Sequence, residues 1–281
     1  MATHILTLSC ADAPGIVAKV STDIFEIGGN ILDNAQFGDA PSGQFCMRTT
    51  FSCAEENPEV LRAQFQQRTG VLGGVLRIHR LDRRQRLVIM VSKLDHCLLD
   101  LLYRWRSNEL KVDIEAIVSN HRDLESLVRG FGLDFHFIPV SADTKQQAET
   151  RLRSILAERN VDLVVLARYM QILSDDLCTH LVGQAINIHH SFLPAFKGAG
   201  PYQQAWQRGV KLIGATAHYV TTDLDEGPII NQGTERVNHA ATPADLATIG
   251  RDVERIVLSG AVRAHVEGRV FLLGNRTVVF P

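Results

Sequence analysis

The run LVIMVS at residues 87–92 is apolar at five of its six positions. A strand with one face in water alternates apolar and polar residues. A continuous run needs cover on both faces. This one leads into CLLDLLYRWRS (97–107), which reads as a helix. The segments KVDIEAIVSN (111–120), FHFIPV (135–140) and VDLVVLA (161–167) then read as further strands with helical stretches between them. The helix around 144–158 carries alternating charges and reads as solvent-exposed. Strand–helix alternation of this kind predicts an α/β, Rossmann-like and mostly parallel sheet wrapped by helices. In such a sheet, ligands sit beyond the carboxyl ends of the strands.

The first eighty residues follow a different rule. HILTLSC (4–10) reads as a strand, and Asp12-Ala13-Pro14-Gly15 as a turn. Ile16, Val20, Ile24 and Ile27 then recur at helical spacing, ended by Gly28-Gly29. NILDNAQFG and QFCMRTTFS read as two strands around the turn DAPSG, PEVLRAQFQQRTG as a helix and VLRIHR as a last strand. The order β-α-β-β-α-β is that of ferredoxin-like domains. RLDRRQR (80–86) has the composition of a solvated linker, so the expected units are 1–82 and 83–281.

Composition narrows the partners. The 281 residues carry a formal net charge of −2 without a long basic run, which favours neither a nucleic-acid nor an anionic-membrane partner. No apolar stretch is long enough to span a bilayer, and the N-terminus lacks the layout of a signal peptide. A cytoplasmic location is the expectation. The five cysteines are scattered and form no CxxC pair, so core packing is expected of them rather than disulfides or zinc. Trp105 and Trp206 also read as packing residues.

The chemistry concentrates in INIHHSFLP (186–194), an apolar strand that ends in Asn187, His189, His190 and Ser191. Alternate residues of a strand share a face, so Asn187 and His189 point together, with Ile188 and His190 opposite. In KLIGATAHYVTTDLDEGPII, Thr216 and His218 share a face by the same rule. A polar loop with Asp223, Asp225 and Glu226 follows. A carboxylate there can reach back to a histidine at a neighbouring strand end. An amide can donate to an oxygen that becomes negative in a tetrahedral intermediate, worth roughly 3 kcal/mol of barrier. An imidazole can share that task or move a proton. Ser191 lacks a nucleophile elbow. The set suits direct attack of water or an amine on a carbonyl. A metal held by His189, His218 and Asp225 is the weaker reading, because no spaced ligand motif is present. His190 reads as a packed histidine. Lys197-Gly198-Ala199-Gly200 reads as a flexible loop near the site, not a P-loop.

Two resemblances follow from these motifs. Asp12-x-Pro14-Gly15-Ile16-Val17 and the NILDNAQF strand resemble an ACT domain. That implies an amino-acid effector site lined by Asp12, Gly15, Ile16, Asn30 and Asp33, or a role in oligomerisation as a homodimer or homotetramer. Asn187-Ile188-His189, Ser191-x-Leu193-Pro194, Gly198, Gly214-x-Thr216-x-His218-x-Val220 and Leu224-Asp225-x-Gly227-Pro228 resemble the formyltransferase domain that uses 10-formyltetrahydrofolate. This implies Asn187, His189 and Asp225 as catalytic residues. It also implies a folate pocket along Tyr169, Met170, Gln171 and Leu173, with Thr216, His218 and Asp223 at its walls.

Transferases of this type that act on a phosphorylated amine carry a glycine-rich loop after their first strand. Here that stretch is VSKLDHCLLD, without a glycine, and His190 stands where those transferases usually have proline. With the N-terminal unit, ARYMQIL and NIHHSFLPAFKGAGPY, the chain resembles the formyltetrahydrofolate deformylase family nearly end to end. The resemblance implies hydrolysis of 10-formyltetrahydrofolate to tetrahydrofolate and formate, serving one-carbon and purine metabolism. Folate is then the substrate, and neither cofactor nor metal is expected. Lys93, Asp95 and His96 would shape the side where water enters. The alternatives are transfer to an unphosphorylated amine, and a silent folate- or amino-acid-binding regulator.

Overall fold

The computed structural model describes residues 1–69, 73–193 and 201–281. Pro194 and the Lys197–Gly200 loop, with Gly198, therefore lie outside the described residues. The chain divides into two compact units, Met1–Arg83 with Ala264–Pro281, and Arg84–Arg263.

The first unit opens with β1 (Ala2–Ala11), α1 (Ile16–Glu26), β2 (Asn30–Asp39), β3 (Gln44–Cys53), α2 (Pro58–Thr69) and β4 (Val75–Arg80). Its sheet has the order β2-β3-β1-β4, antiparallel throughout. One face is covered by apolar residues at helical spacing, Val20 and Ile24 of α1 with Leu61 and Phe65 of α2. They meet Leu6, Leu8, Met47 and Phe51 of the strands. Ile16, expected at an effector site, is 2% exposed and belongs to this core. It is the first residue of α1, and its helical period turns it inward. Asp12, Gly15, Asn30 and Asp33 are exposed.

The second unit holds β5 (Gln85–Val91), α3 (His96–Arg106), β6 (Val112–Ser119), α4 (Glu125–Gly130), β7 (Phe135–Phe137), α5 (Lys145–Glu158) and β8 (Leu163–Leu166). It continues through α6 (Asp175–His180), β9 (Ala185–His189), α7 (Pro201–Gln207), β10 (Leu212–Tyr219), β11 (Ile229–Arg236) and α8 (Pro243–Val266). The seven-stranded sheet runs β11-β10-β9-β8-β5-β6-β7. The strands from β9 to β7 pair in parallel, while β10 and β11 are antiparallel additions at one edge. The apolar runs behave as their composition demands, with Leu87 to Val91 and Leu163 to Leu166 all buried.

Three expectations are corrected. α5 is not simply solvent-exposed: Ala148, Leu152, Ile155 and Leu156 form a buried stripe, and the charges occupy the other face. Trp206 is 47% exposed and is no core residue, while Trp105 is half-buried. The chain beyond Arg263 groups with the first unit rather than the second. There the hairpin of β12 (Val270–Leu273) and β13 (Arg276–Val279) presents Phe271, packed with Phe280 against Cys46 of β3. All five cysteines are free and buried. Among the described residues, no helix is long and apolar enough to cross a membrane.

Phe51 is fully buried, its ring 6.2 Å from that of Phe65 and 5.5 Å from that of His4. Phe51→Ala should destabilise the first unit by about 3–5 kcal/mol. Denaturant unfolding would show this as a lower midpoint, and an unchanged midpoint would remove the packing argument.

Candidate functional site

The edge pairing of β9 with β10 sets the site. Its register places His218 opposite Asn187 and Thr216 opposite His189. Beyond Tyr219 the chain makes an excursion, closed where Tyr219 N–H donates to Pro228 O at 2.9 Å. Gly227 permits that closure, because a Cβ there would run into the Tyr219 carbonyl. Asp225 sits on this excursion in the left-handed region, φ 57°. Aspartate is among the few side chains that enter that region readily.

Asp225 Oδ2 lies 3.2 Å from His189 Nδ1, and Oδ1 lies 3.8 Å from His218 Nε2. Burial acts to raise the Asp225 pKa. Hydrogen bonding from His189 outweighs it and holds the carboxyl well below the usual range. The group is therefore an anion at neutral pH. It accepts from His189 Nδ1–H, which leaves Nε2 as the reactive ring atom. That nitrogen is buried and has no hydrogen-bond partner among the described residues.

His218 plays a different part. Its Nδ1–H donates to the Tyr219 carbonyl at 2.9 Å, which turns Nε2 toward Asn187. Asn187 Nδ2, at 3.3 Å, donates one of its two hydrogens to that nitrogen. The amide orientation is thereby set, with the second N–H of Asn187 left for another acceptor.

These groups open onto a cavity of about 400 Å³. Of the residues expected around it, Tyr169, Met170, Gln171, Leu173, His218 and Asp223 all line it. Thr216 does not. Its hydroxyl donates to Ser191 O and accepts from Leu193 N and Gln232 Nε2, each at 3.0 Å, so it anchors the chain that leaves β9. Met170 N–H is taken by Ser92 Oγ at 3.0 Å. Burial and the Glu149 charge push the Tyr169 hydroxyl up to about 12, so it stays neutral.

Strict alternation fails at the end of β9. His190 lines the cavity as well, its ring 5.0 Å from that of His189. Burial, then the charges of Arg168 and His189, lower its pKa to about 4 and keep it neutral. Lys93, Asp95 and His96 do not line the cavity. His96 Nε2 instead lies 2.8 Å from Glu254 Oε2. Sequence reasoning missed Glu254 and Arg168. Glu254 falls on the buried stripe of α8 with Val257, Leu258 and Ala261, and Arg168 directly follows an apolar strand. A charge in either position is a readable anomaly.

His96, Cys97 and Glu254 have donor atoms close enough to share a cation. The donor set suits one poorly. His96 Nε2 is engaged with the carboxylate, burial keeps the Cys97 thiol protonated, and the Arg168 guanidinium lies 3.4 Å from Glu254.

Residues 85–262 match the formyl transferase family model. A formyltetrahydrofolate deformylase of Corynebacterium sp. (strain P-1) is 47% identical, over 98% of this chain and 97% of that one. The chain belongs to the formyltetrahydrofolate deformylase family. The crystal structure of a deformylase from Burkholderia mallei superposes with a TM-score of 0.96 at 48% identity, covering 100% of both chains. A glycinamide ribonucleotide transformylase from Symbiobacterium toebii covers 70% of this chain and 95% of its own, with a TM-score of 0.66 at 30% identity. The deformylases thus match both units, whereas the transformylase matches a part.

The Asp225 anion has a consequence for acid stability. A carboxyl held below its unfolded value near 3.9 contributes stability that is complete above about pH 4 and is lost as pH falls further. Asp225→Asn removes that contribution. Thermal melts between pH 7 and pH 3 should show the parent losing Tm faster than the variant below pH 4. Parallel curves would mean that Asp225 is not held as an anion.

Proposed function

We propose that the protein hydrolyses 10-formyltetrahydrofolate to tetrahydrofolate and formate. The observation that carries this reading is the convergence of Asn187, His189 and Asp225 on one cavity, in a chain that matches deformylases over its full length. The cavity mouth bears exposed Met170, Ile172 and Leu224, and Leu166 and Leu173 line it. Such a lining suits a flat bicyclic ligand with a few polar anchors.

The free N–H of Asn187 donates to the formyl oxygen. His189, held at Nδ1 by the Asp225 anion, presents Nε2 to the same oxygen as it gains charge. Water adds to the formyl carbon. Its proton passes by way of Asp225 Oδ1 to N10, the C–N10 bond breaks, and formate leaves. A carboxylate held so far below its usual range is a weak base, so it relays the proton rather than keeping it. His218 positions Asn187. The reaction needs neither metal nor cofactor.

Incubation with 10-formyltetrahydrofolate alone should release formate and tetrahydrofolate in equal amounts. Asn187→Ala should lower kcat by about 10²–10³-fold, as expected for removal of an oxyanion donor. Binding without release of formate would turn the reading to transfer or to a silent regulator.

The first unit reads as an ACT-type regulatory domain, with Asp12, Gly15, Asn30 and Asp33 exposed for a small amino-acid effector. The β-α-β-β-α-β order and the Asp12–Gly15 turn support this. β2 also supports a homo-oligomer, because it is an edge strand with Ile31, Leu32 and Phe37 exposed. Leu32→Asp combined with Phe37→Asp should shift the protein to monomer in sedimentation, and an unchanged mass would argue against that edge.

A further inference from the structure

Behind the cavity wall lies a second group of polar side chains that the proposed reaction does not use. Glu254 is 1% exposed, in the middle of α8. Its Oε1 accepts from the Tyr202 hydroxyl at 2.6 Å, and its Oε2 meets His96 Nε2 at 2.8 Å and Arg168 Nε at 3.4 Å. Burial acts to raise the Glu254 pKa, but bonding to His96, the charge of Arg168 and the Tyr202 hydrogen bond prevail, so it is an anion. Tyr202 reaches it because residue 250 is glycine; a Cβ there would overlap the phenol ring. The Tyr202 ring is also 6.2 Å from that of His190. A continuous path of packed groups therefore runs from His189 through His190 and Tyr202 to Glu254.

Arg168 joins this group to the cavity. It lines the cavity and is 8% exposed, and neither its Nε nor its Nη1 has a hydrogen-bond partner among the described residues, so the 3.4 Å approach of Nε to Glu254 is an ion pair without a hydrogen bond. Its backbone lies in the left-handed region, φ 65°, which an arginine rarely enters. Its carbonyl accepts from Ser92 N–H at 3.2 Å, which ties it to the loop after β5. A strained backbone thus directs a long cation into the space between the cavity and a buried carboxylate. Removing the side chain would extend the cavity into a polar chamber lined by carboxylate, phenol and imidazole. Such a chamber has the donors and acceptors to hold an amine.

The fold of the second unit is shared with a transformylase, so the scaffold alone does not exclude an amine nucleophile. We propose that Arg168, held beside Glu254, is a stopper that closes the nucleophile side of the cavity to anything larger than water. Arg168 is then the residue that determines specificity for hydrolysis over formyl transfer. The proposal rests on the hydrolytic reading above. In the reaction it blocks, a neutral primary amine would add to the formyl carbon, the C–N10 bond would break, and the amine's proton would pass to N10. The products would be an N-formyl amine and tetrahydrofolate.

The test is the partition of product. The intact protein and its Arg168→Gly variant are each given 10-formyltetrahydrofolate with increasing glycinamide, and formate and N-formylglycinamide are both measured. Glycine adopts φ 65° without strain, so Arg168→Gly is compatible with the backbone. The parent should yield formate alone. Arg168→Gly should yield N-formylglycinamide alongside formate, in a proportion that rises with glycinamide concentration. Arg168→Lys should restore most of the parent ratio. His96→Ala, which opens the cluster from the N-terminus of α3, should move the ratio in the same direction by less. A general loss of structure would lower both products without changing their ratio. Formate alone from both Arg168→Gly and His96→Ala overturns the stopper. So does loss of both reactions in Arg168→Gly with folate binding retained, which would place Arg168 in the hydrolytic machinery. No formate from the parent would overturn the hydrolytic reading instead, and the two failures are told apart by the parent alone.

Discussion

The site depends on one strand pairing. β10 runs antiparallel to β9, so the two strands pass each other in opposite directions where the parallel part of the sheet meets its two antiparallel strands. The register puts His218 beside Asn187, and a slip of one residue would turn His218 to the other face. The same antiparallel course carries the chain past Ile186, away from the end of β9, so Asp225 meets His189 only because the excursion doubles back. The close approach of Gly227 to the Tyr219 carbonyl secures that return. The carbonyl involved is the one that fixes the His218 tautomer and, through it, the Asn187 amide. Sheet register, loop closure and proton position are thus one linked arrangement.

Two buried carboxylates organise the polar interior, and they do so differently. Asp225 stands between two histidines at the open side of the cavity, with one oxygen engaged by His189. Glu254 is enclosed, with both oxygens engaged by Tyr202, His96 and Arg168. A buried charge is tolerated only when its partners satisfy it. Full satisfaction makes Glu254 a fixed support, and partial satisfaction leaves Asp225 able to handle a proton. Both neighbourhoods also hold a non-glycine residue with positive φ, Asp225 itself and Arg168. Backbone strain beside a cavity lined by ionisable groups marks positions that the rest of the structure must hold in place.

Most of the cavity was legible in the chain before any coordinates. Asn187 and His189 share a strand face by simple alternation, and the acidic loop after a second extended run suggested a carboxylate returning to them. Alternation misled at Thr216, whose hydroxyl is consumed by the chain leaving β9, and at His190, which lies just past the last residue of its strand. Charge counting misled at α5, where four apolar residues on one stripe matter more than the charges opposite. Ile16 looked like part of a ligand turn, but helical periodicity sends it to the core. Glu254 and Arg168 carry a signal, a charge where an apolar residue is due; Glu254 stands far from the motifs in sequence, and Arg168 stands inside ARYMQIL, where only the fold shows that it faces Glu254.

The sequence by itself determined which segments become strands buried on both faces, where the polar strand end lies, and which amide, imidazole and carboxylate are available. Those follow from local periodicity and residue type, which need no knowledge of distant neighbours. Tertiary structure decided the rest. It set the edge pairing that matches His218 to Asn187, the return of Asp225, the enclosure of Glu254 by residues from three other segments, and the grouping of the C-terminal hairpin with the first unit. Each of these joins residues tens to hundreds of positions apart. Which of them meet is governed by how the sheet and helices pack, and no local pattern encodes that.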